Sequence, residues 1–303
     1  MKKIIYLISA IIYCSFCYSE NFSLNGTYFP NLYSTVDALD INESSITLNY
    51  EVALDKKNIG YKKIYNDGIL FFKLSENMPK NFHEKNYYDK QEIETNDEIL
   101  ILAGKEIDFE YLSGKNVGKE DRILLFAITE GFDKSWPFIY EKSGFTERIL
   151  RKYTDCSSYL KEKTKEYPVE NLNDFFVDTP WVEGIKGDGI GEGFTIAEWN
   201  KTVYPYLLIM NGYISYKKPY LYKQNNRVKA VKVTGLKSGK SKILEVLDTP
   251  HPQTVDISFI TEVEDIRVEI ADVYKGTKYD DTCLHFCITY PNKVIPYENS
   301  IEE

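Results

Sequence analysis

The chain is poor in the side chains that most often carry chemistry. It has three histidines and five cysteines in 303 residues. Its first half holds one histidine, His83, and no nucleophile elbow or metal motif. Basic residues are also short: 37 Lys and Arg face 46 Asp and Glu, a net charge of −9. A nucleic-acid partner normally needs a basic face, and bulk attraction to anionic lipid needs the same, so both are set aside. Internal repeats, low-complexity segments and convincing helical periodicity are absent. There is a single apolar run, Ile4 to Tyr13, and it is too short to span a bilayer comfortably.

That run follows Lys2 and Lys3 and precedes Cys17-Tyr18-Ser19, the layout of a secretory signal cleaved after Ser19. The protein is expected to be exported to the periplasm, cell surface or medium, with no membrane insertion once the signal is removed. A lipoprotein attached at Cys14 or Cys17 is the minor alternative. Three cysteines remain in the mature chain, Cys156, Cys283 and Cys287, which is no disulfide framework. On one strand Cys283 and Cys287 would lie about 13 Å apart, too far to bond.

What is abundant is aromatic: 25 Tyr and 16 Phe. With the frequent threonine and isoleucine, this favours strands. Ser45 to Leu54 alternates with period two, and Gly68 to Leu74, Glu98 to Ala103, Ile107 to Leu112 and Arg122 to Ile128 repeat the idea. Turn signals such as Asn66-Asp67-Gly68 separate them. Glu76 to Asp97 reads as a long loop in which His83 and Glu84 are solvated. The pattern over 20–150 is that of a small β barrel or sandwich of unrecognised family.

From Tyr153 the character changes. Strands are expected at Phe194 to Trp199, Tyr204 to Asn211, Arg227 to Thr234, Ser241 to Val246, Gln253 to Phe259, Ile266 to Val273 and Cys283 to Tyr290. That count without βαβ alternation is a jelly roll, so the whole chain reads as all-β. The expected division is signal 1–19, β domain 20–150, jelly roll 151–292 and acidic tail 293–303. The densest glycine stretch, Trp181 to Gly193 (W-V-E-G-I-K-G-D-G-I-G-E-G), lacks the following helix that a phosphate cradle needs. It is read as an ordered turn between strands, with Trp181 in the core.

The block Cys156-Ser157-Ser158-Tyr159-Leu160, the elements Asn171-Leu172, Asp174, Thr179 and Trp181, and the glycine-rich turn resemble discoidin-type domains, the coagulation-factor type C fold. Asn211-Gly212-Tyr213, Asn225 to Lys229 and Asp272 to Cys283 agree. The resemblance covers about 153–291. It is to the bacterial branch found in the translocation module of the streptococcal NAD glycohydrolase toxin. It implies a discoidin-like, galactose-binding-like jelly-roll sandwich and a binding role, without a glycohydrolase catalytic domain. Many such domains carry calcium near an Asp-Gly-Asp turn. Here Asp174-Phe175-Phe176 lacks the second carboxylate, while Asp174, Asp178 and Thr179 could still supply oxygens, so calcium is the one cofactor left open.

Three further constellations need weighing. Glu183, Glu192 and Glu198 include the carboxylates a glycosidase would need, but carboxylates beside glycine-rich turns commonly accept backbone N–H groups, and the second reading is preferred. Cys283, His285 and Cys287 would share one strand face with too flat a spacing for one tetrahedral zinc, so they are read as core. Tyr213, Tyr216, Tyr220 and Tyr222 with Lys217 and Lys218 form the most ligand-like run, a loop at one end of a rigid sandwich, and Arg227 closes it. The ligand site is therefore placed on Tyr213, Tyr216, Lys217, Tyr220, Tyr222 and Arg227. The expected function is a non-catalytic exported binding protein whose jelly roll folds alone and recognises a glycan or a surface protein. The alternatives are an envelope hydrolase with its catalytic groups in the first half and the jelly roll as targeting module, and a structural envelope protein docked to a protein partner.

Overall fold

The computed structural model describes residues 22–30, 36–50, 57–77, 97–113, 116–128, 138–141, 152–173, 178–197 and 202–297. Among them all regular structure is β except a 3-10 turn at Val169–Asn173 and a short helix α1, Leu221–Gln224. No helix among them is long and apolar enough to cross a membrane.

The first half comprises β1 (Gly26–Pro30), β2 (Val36–Ile41), β3 (Ser45–Tyr50), β4 (Lys57–Asn66), β5 (Ile69–Leu74), β6 (Glu98–Ser113), β7 (Asn116–Ile128) and β8 (Phe138–Glu141). Each strand pairs antiparallel with the next, and β8 pairs back onto β1, so the sheet closes. Of barrel or sandwich it is the barrel, an up-and-down one with no free edge along its paired length. Leu39, Ile46, Ile59, Phe72, Ile101 and Leu125 point into its interior cluster. The Asp67-Gly68 turn joins β4 to β5 with φ of 51° and 90°, the left-handed pair that a two-residue hairpin loop requires. The strands expected at 98–103 and 107–112 are one strand, β6, whose register slips between Glu106 and Phe109 with Asp108 at φ 53°. His83 and Glu84 lie outside the described residues.

The second half holds β9 (Lys152–Thr154), β10 (Trp181–Val182), β11 (Gly193–Ala197), β12 (Tyr206–Asn211), β13 (Asn226–Gly235), β14 (Ser241–Glu245), β15 (Gln253–Asp256), β16 (Ile266–Tyr274) and β17 (Thr282–Tyr290). The order is β15-β12-β17-β13-β16-β11-β9, with β10 beside β17 and β14 beside β13. β13 and β17 run parallel over two residue pairs only, Asn226 with Thr282 and Arg227 with Cys283. There the sheet folds over, and Phe194, Leu207, Ile209, Val231, Val268 and Leu284 fill the space between its layers.

The two halves share a core. In β12, Leu207 and Ile209 face the sandwich interior while Leu208 and Met210 face the barrel. In β17, Phe286, Ile288 and Tyr290 do likewise. They meet the outer faces of β5, β6 and β7, including Phe71, Leu102 and Phe126, in one buried cluster. Residues 293–296, expected to begin an acidic tail, are instead a strand, β18 (Lys293–Pro296), paired with β6 at Val294 and Glu106. Val294 is the reason: it is buried in the shared cluster while Lys293 stays exposed. Across an apolar contact of this kind the halves are expected to move together.

Candidate functional site

The glycine-rich turn is a structural hub. Gly187, Gly189 and Gly191 all have positive φ. Gly193 is there for closeness: a Cβ would lie 2.0 Å from the carbonyl oxygen of Val268. Glu183 is buried, and its carboxylate accepts the N–H groups of Ile185 at 2.9 Å and Thr282 at 3.2 Å. Burial raises its pKa, as those two N–H bonds only partly replace water. Glu192 accepts the hydroxyls of Ser157, at 2.6 Å, and Ser158. Trp181 is buried with its indole N–H on the Ser158 carbonyl at 3.1 Å, a core residue as expected. Glu183 serves the backbone, as preferred, whereas Glu192 holds two serine hydroxyls, which in turn accept the N–H groups of Gly193 and Gly184. Glu198 lies outside the described residues.

The zinc-like spacing dissolves in the strand itself. Leu284 and Cys287 both face the sandwich interior, and Phe286 faces the barrel. A bulge opposite Met210 and Asn211 shifts the alternation between them, so Cys283, His285 and Cys287 do not share one face. Cys156, Cys283 and Cys287 are free thiols. His285 is fully buried, and neither ring nitrogen has a hydrogen-bond partner.

Of the three residues considered for calcium, Asp178 and Thr179 are described. Asp174 lies outside the described residues. Asp178 has φ 71° and turns its backbone carbonyl to the Lys165 ammonium, a positive charge where a cation would need oxygen donors. Among the described residues no group of three His, Cys, Asp or Glu side chains gathers to hold a metal.

The tyrosine run is not an open loop, and most of its proposed ligand contacts need correcting. Tyr222 is fully buried beside Phe71 and Leu102, and its hydroxyl donates to Asp248 at 3.2 Å. Tyr216 packs edge-on against Phe71 and donates to the Glu98 carbonyl at 3.0 Å, which ties the sandwich to the barrel. Tyr213 is buried against Tyr167, and the Lys165 ammonium reaches its hydroxyl at 3.1 Å. Arg227 is buried and grips Asp248 through two parallel bonds, Nε at 2.6 Å and Nη2 at 3.0 Å. Tyr216 and Tyr222 fall inside because they belong to the cluster shared with the barrel, Tyr213 because it packs with Tyr167, Val182 and Cys283, and Arg227 because Asp248 holds it at the start of β13. Tyr220, 41% exposed, and Lys217, also exposed, remain on the surface.

At the far end of α1 from Tyr220 the fold brings a second exposed tyrosine, Tyr279, at 37%. The N–H groups of Lys278 and Tyr279 donate to the Gln224 carbonyl at the end of α1, at 3.1 and 2.9 Å. That of Thr277 donates to Lys223 at 3.0 Å. Gly276 permits the approach, since a Cβ would lie 2.3 Å from the Gln224 oxygen. Tyr220 opens α1, and the buried Tyr222 pins it from below. The Lys278 ammonium lies 4.8 Å from the centre of the Tyr279 ring. Interaction with Tyr279 first, and with Tyr220 as well, raises its pKa. The result is a small platform of two tyrosines and a lysine, held by backbone bonds on a rigid base. Only the Gly276-Thr277 turn beside it hinted at this, because Tyr279 meets α1 through folding rather than sequence.

In the barrel, a cleft of about 220 Å³ is lined by Ser23, Asn25, Lys105, Asp121 and Arg122 among others. Its basic groups are matched to carboxylates, Lys105 to Asp121 at 3.1 Å and Arg122 to the buried Glu106.

Residues 144–288 match the family model of the NAD glycohydrolase translocation F5/8 type C domain. That part of the chain is a discoidin-like domain resembling this translocation module, in an almost entirely β structure. No curated protein and no solved structure matches the chain.

Proposed function

We propose that this is an exported, non-catalytic binding protein whose discoidin-like domain recognises a glycan through the Tyr220–Tyr279 platform. The family match supports a binding or translocation module in general terms. The platform carries the finer reading. Two part-exposed phenol rings, fixed by backbone bonds to α1, offer flat apolar faces with polar rims at little entropic cost, which suits the faces of sugar rings. Loops held rigidly at the end of a sandwich are where binding residues concentrate. Export is supported by the amino-terminal sequence, Lys2 to Ser19. Screening the full chain, rather than the second half alone, on an oligosaccharide array tests the reading. Hits lost in Tyr220→Ala and Tyr279→Ala are expected; an array without hits would remove the glycan reading and leave a protein surface as the partner.

A further inference from the structure

The Lys165 ammonium sits in a cage that the tyrosine platform does not use. Its loop is fixed first. The Leu160 N–H donates to the Val182 carbonyl at 2.8 Å, that of Tyr167 to Leu160 at 3.1 Å, and that of Glu162 to Lys165 at 2.8 Å. These bonds tie residues 160–167 to β10 and leave the Lys165 side chain half-buried. Its ammonium donates to the backbone carbonyl of Asp178 and to the Tyr213 hydroxyl, the latter at 3.1 Å. The ring centres of Tyr167 and Tyr213 stand 4.9 and 5.6 Å away, within the range at which an aromatic face holds a cation. The Tyr213 hydroxyl donates to the same Asp178 carbonyl at 3.4 Å, and the Asp178 N–H donates to Ile214 at 2.8 Å. One ammonium thus joins three segments: the 160–167 loop, the Asp178 turn and the start of the tyrosine run.

Burial lowers the Lys165 pKa, the Asp178 and Glu162 carboxylates oppose that shift, and Lys218 adds to it. A half-buried ammonium is costly unless acceptors surround it. Here a carbonyl, a hydroxyl and two ring faces do so. Asp178 is also one of the residues considered for calcium. That ion wants six to eight oxygen ligands, whereas the Asp178 carbonyl already receives two donors, one of them charged.

We infer that the Lys165 ammonium is the structural cation of the Asp178 turn, a fixed positive charge standing where a bound calcium ion would serve, so that this turn takes up no calcium. Lysine suits the role as a compact charge with three donors and no planar preference. Its acceptors are set around it, the two rings being inclined at 68°.

The test uses the full chain, stripped of metal with EDTA. Calcium is titrated to about 5 mM, above the weakest dissociation constants of extracellular calcium modules, while backbone amide resonances are followed. The expected result is no saturable shift at Asp178, Thr179 or Tyr213. Saturable shifts at Asp178 and Tyr213 would overturn the assignment. Lys165→Met keeps most of the stem and removes the charge. It should lower the melting temperature by roughly 3–6 °C, in EDTA and in calcium alike. Lys161→Met, at an exposed lysine of the same loop, is the control and should stay within about 1 °C of the native chain. A Lys165→Met chain as stable as the native one would also overturn the role given to the ammonium. Should that variant fail to fold, the calcium titration of the native chain still has the power to refute. No saccharide enters these measurements, so they bear on Lys165 whatever the platform binds.

Discussion

The Nδ1 atom of His251 accepts the backbone N–H of Ala103 at 3.1 Å, linking a sandwich loop to the barrel wall. The imidazole is buried and packs edge-on against Tyr297 at 5.6 Å. A nitrogen that accepts this bond cannot carry a proton, so the contact requires the neutral ring. Burial alone pushes the His251 pKa down to about 3, and does the same to His285. The sign follows from linkage. Both values are depressed below the unfolded one, near 6.5, so below that pH the unfolded chain binds protons that the native state refuses. Each histidine costs about 1.4 kcal/mol of stability per pH unit on the way down towards pH 3. Urea melts at pH 7 and pH 4.5 are expected to show this loss, with a shallower dependence in His251→Gln. Equal stability at the two values would contradict the burial of both rings.

A second expectation concerns cooperativity. Phe286 and Ile288 of the sandwich pack against Phe71, Leu102 and Phe126 of the barrel in one cluster. Phe286→Ala should cost about 3–5 kcal/mol and lower the melting of both halves together. Calorimetry showing two well-separated transitions, only one of them shifted, would mean that the halves are independent. A fragment of 150–292, which the sequence alone suggests would fold by itself, loses β18 and the barrel wall. It should bind a hydrophobic dye and aggregate.

The Arg227–Asp248 pair holds the base of the platform. Asp248→Ala leaves the guanidinium buried with its main partner gone, a loss of roughly 3 kcal/mol by the usual behaviour of broken buried pairs. Arg227→Lys should rescue little, because one ammonium cannot reproduce two parallel bonds. Thermal melts of both variants decide this; a Lys variant as stable as the native chain would refute the forked geometry.

The glycine-rich turn offers an internal contrast. Gly193→Ala drives a methyl against Val268 and should severely lower stability, while Gly187 has open space and only its φ of 102° to strain. Gly187→Ala should cost about 1–2 kcal/mol. Comparable melting temperatures for the two variants would contradict the close strand approach at Gly193.

These contrasts also show what could be read from the residues. Strands with turn chemistry between them were legible: β13, β16 and β17 fall within one residue of their expected ends at 227–234, 266–273 and 283–290. The jelly roll was carried by Trp181, Glu183 and the glycines that fix its turn. The shared core had a signal that passed as ordinary strand. Ile69 to Phe72, Ile99 to Ala103, Leu207 to Met210 and Phe286 to Ile288 are nearly continuous apolar runs rather than alternations, the mark of strands covered on both faces. Taken that way, they would have predicted that the halves pack together and that the tyrosines between them are buried. Tyr279 carried no such mark, since its place against α1 depends on contacts between segments more than 50 residues apart.

Tyr220 and Tyr279 are the proposed ligand surface. It is tested most directly by following aromatic ring resonances of the full chain, assigned with Tyr→Phe variants, while a saccharide hit from the array is added. Saturable shifts are expected at Tyr220 and Tyr279, with the buried Tyr222 and Tyr290 unmoved. Saturable shifts confined to residues elsewhere, with both platform tyrosines silent, would contradict it.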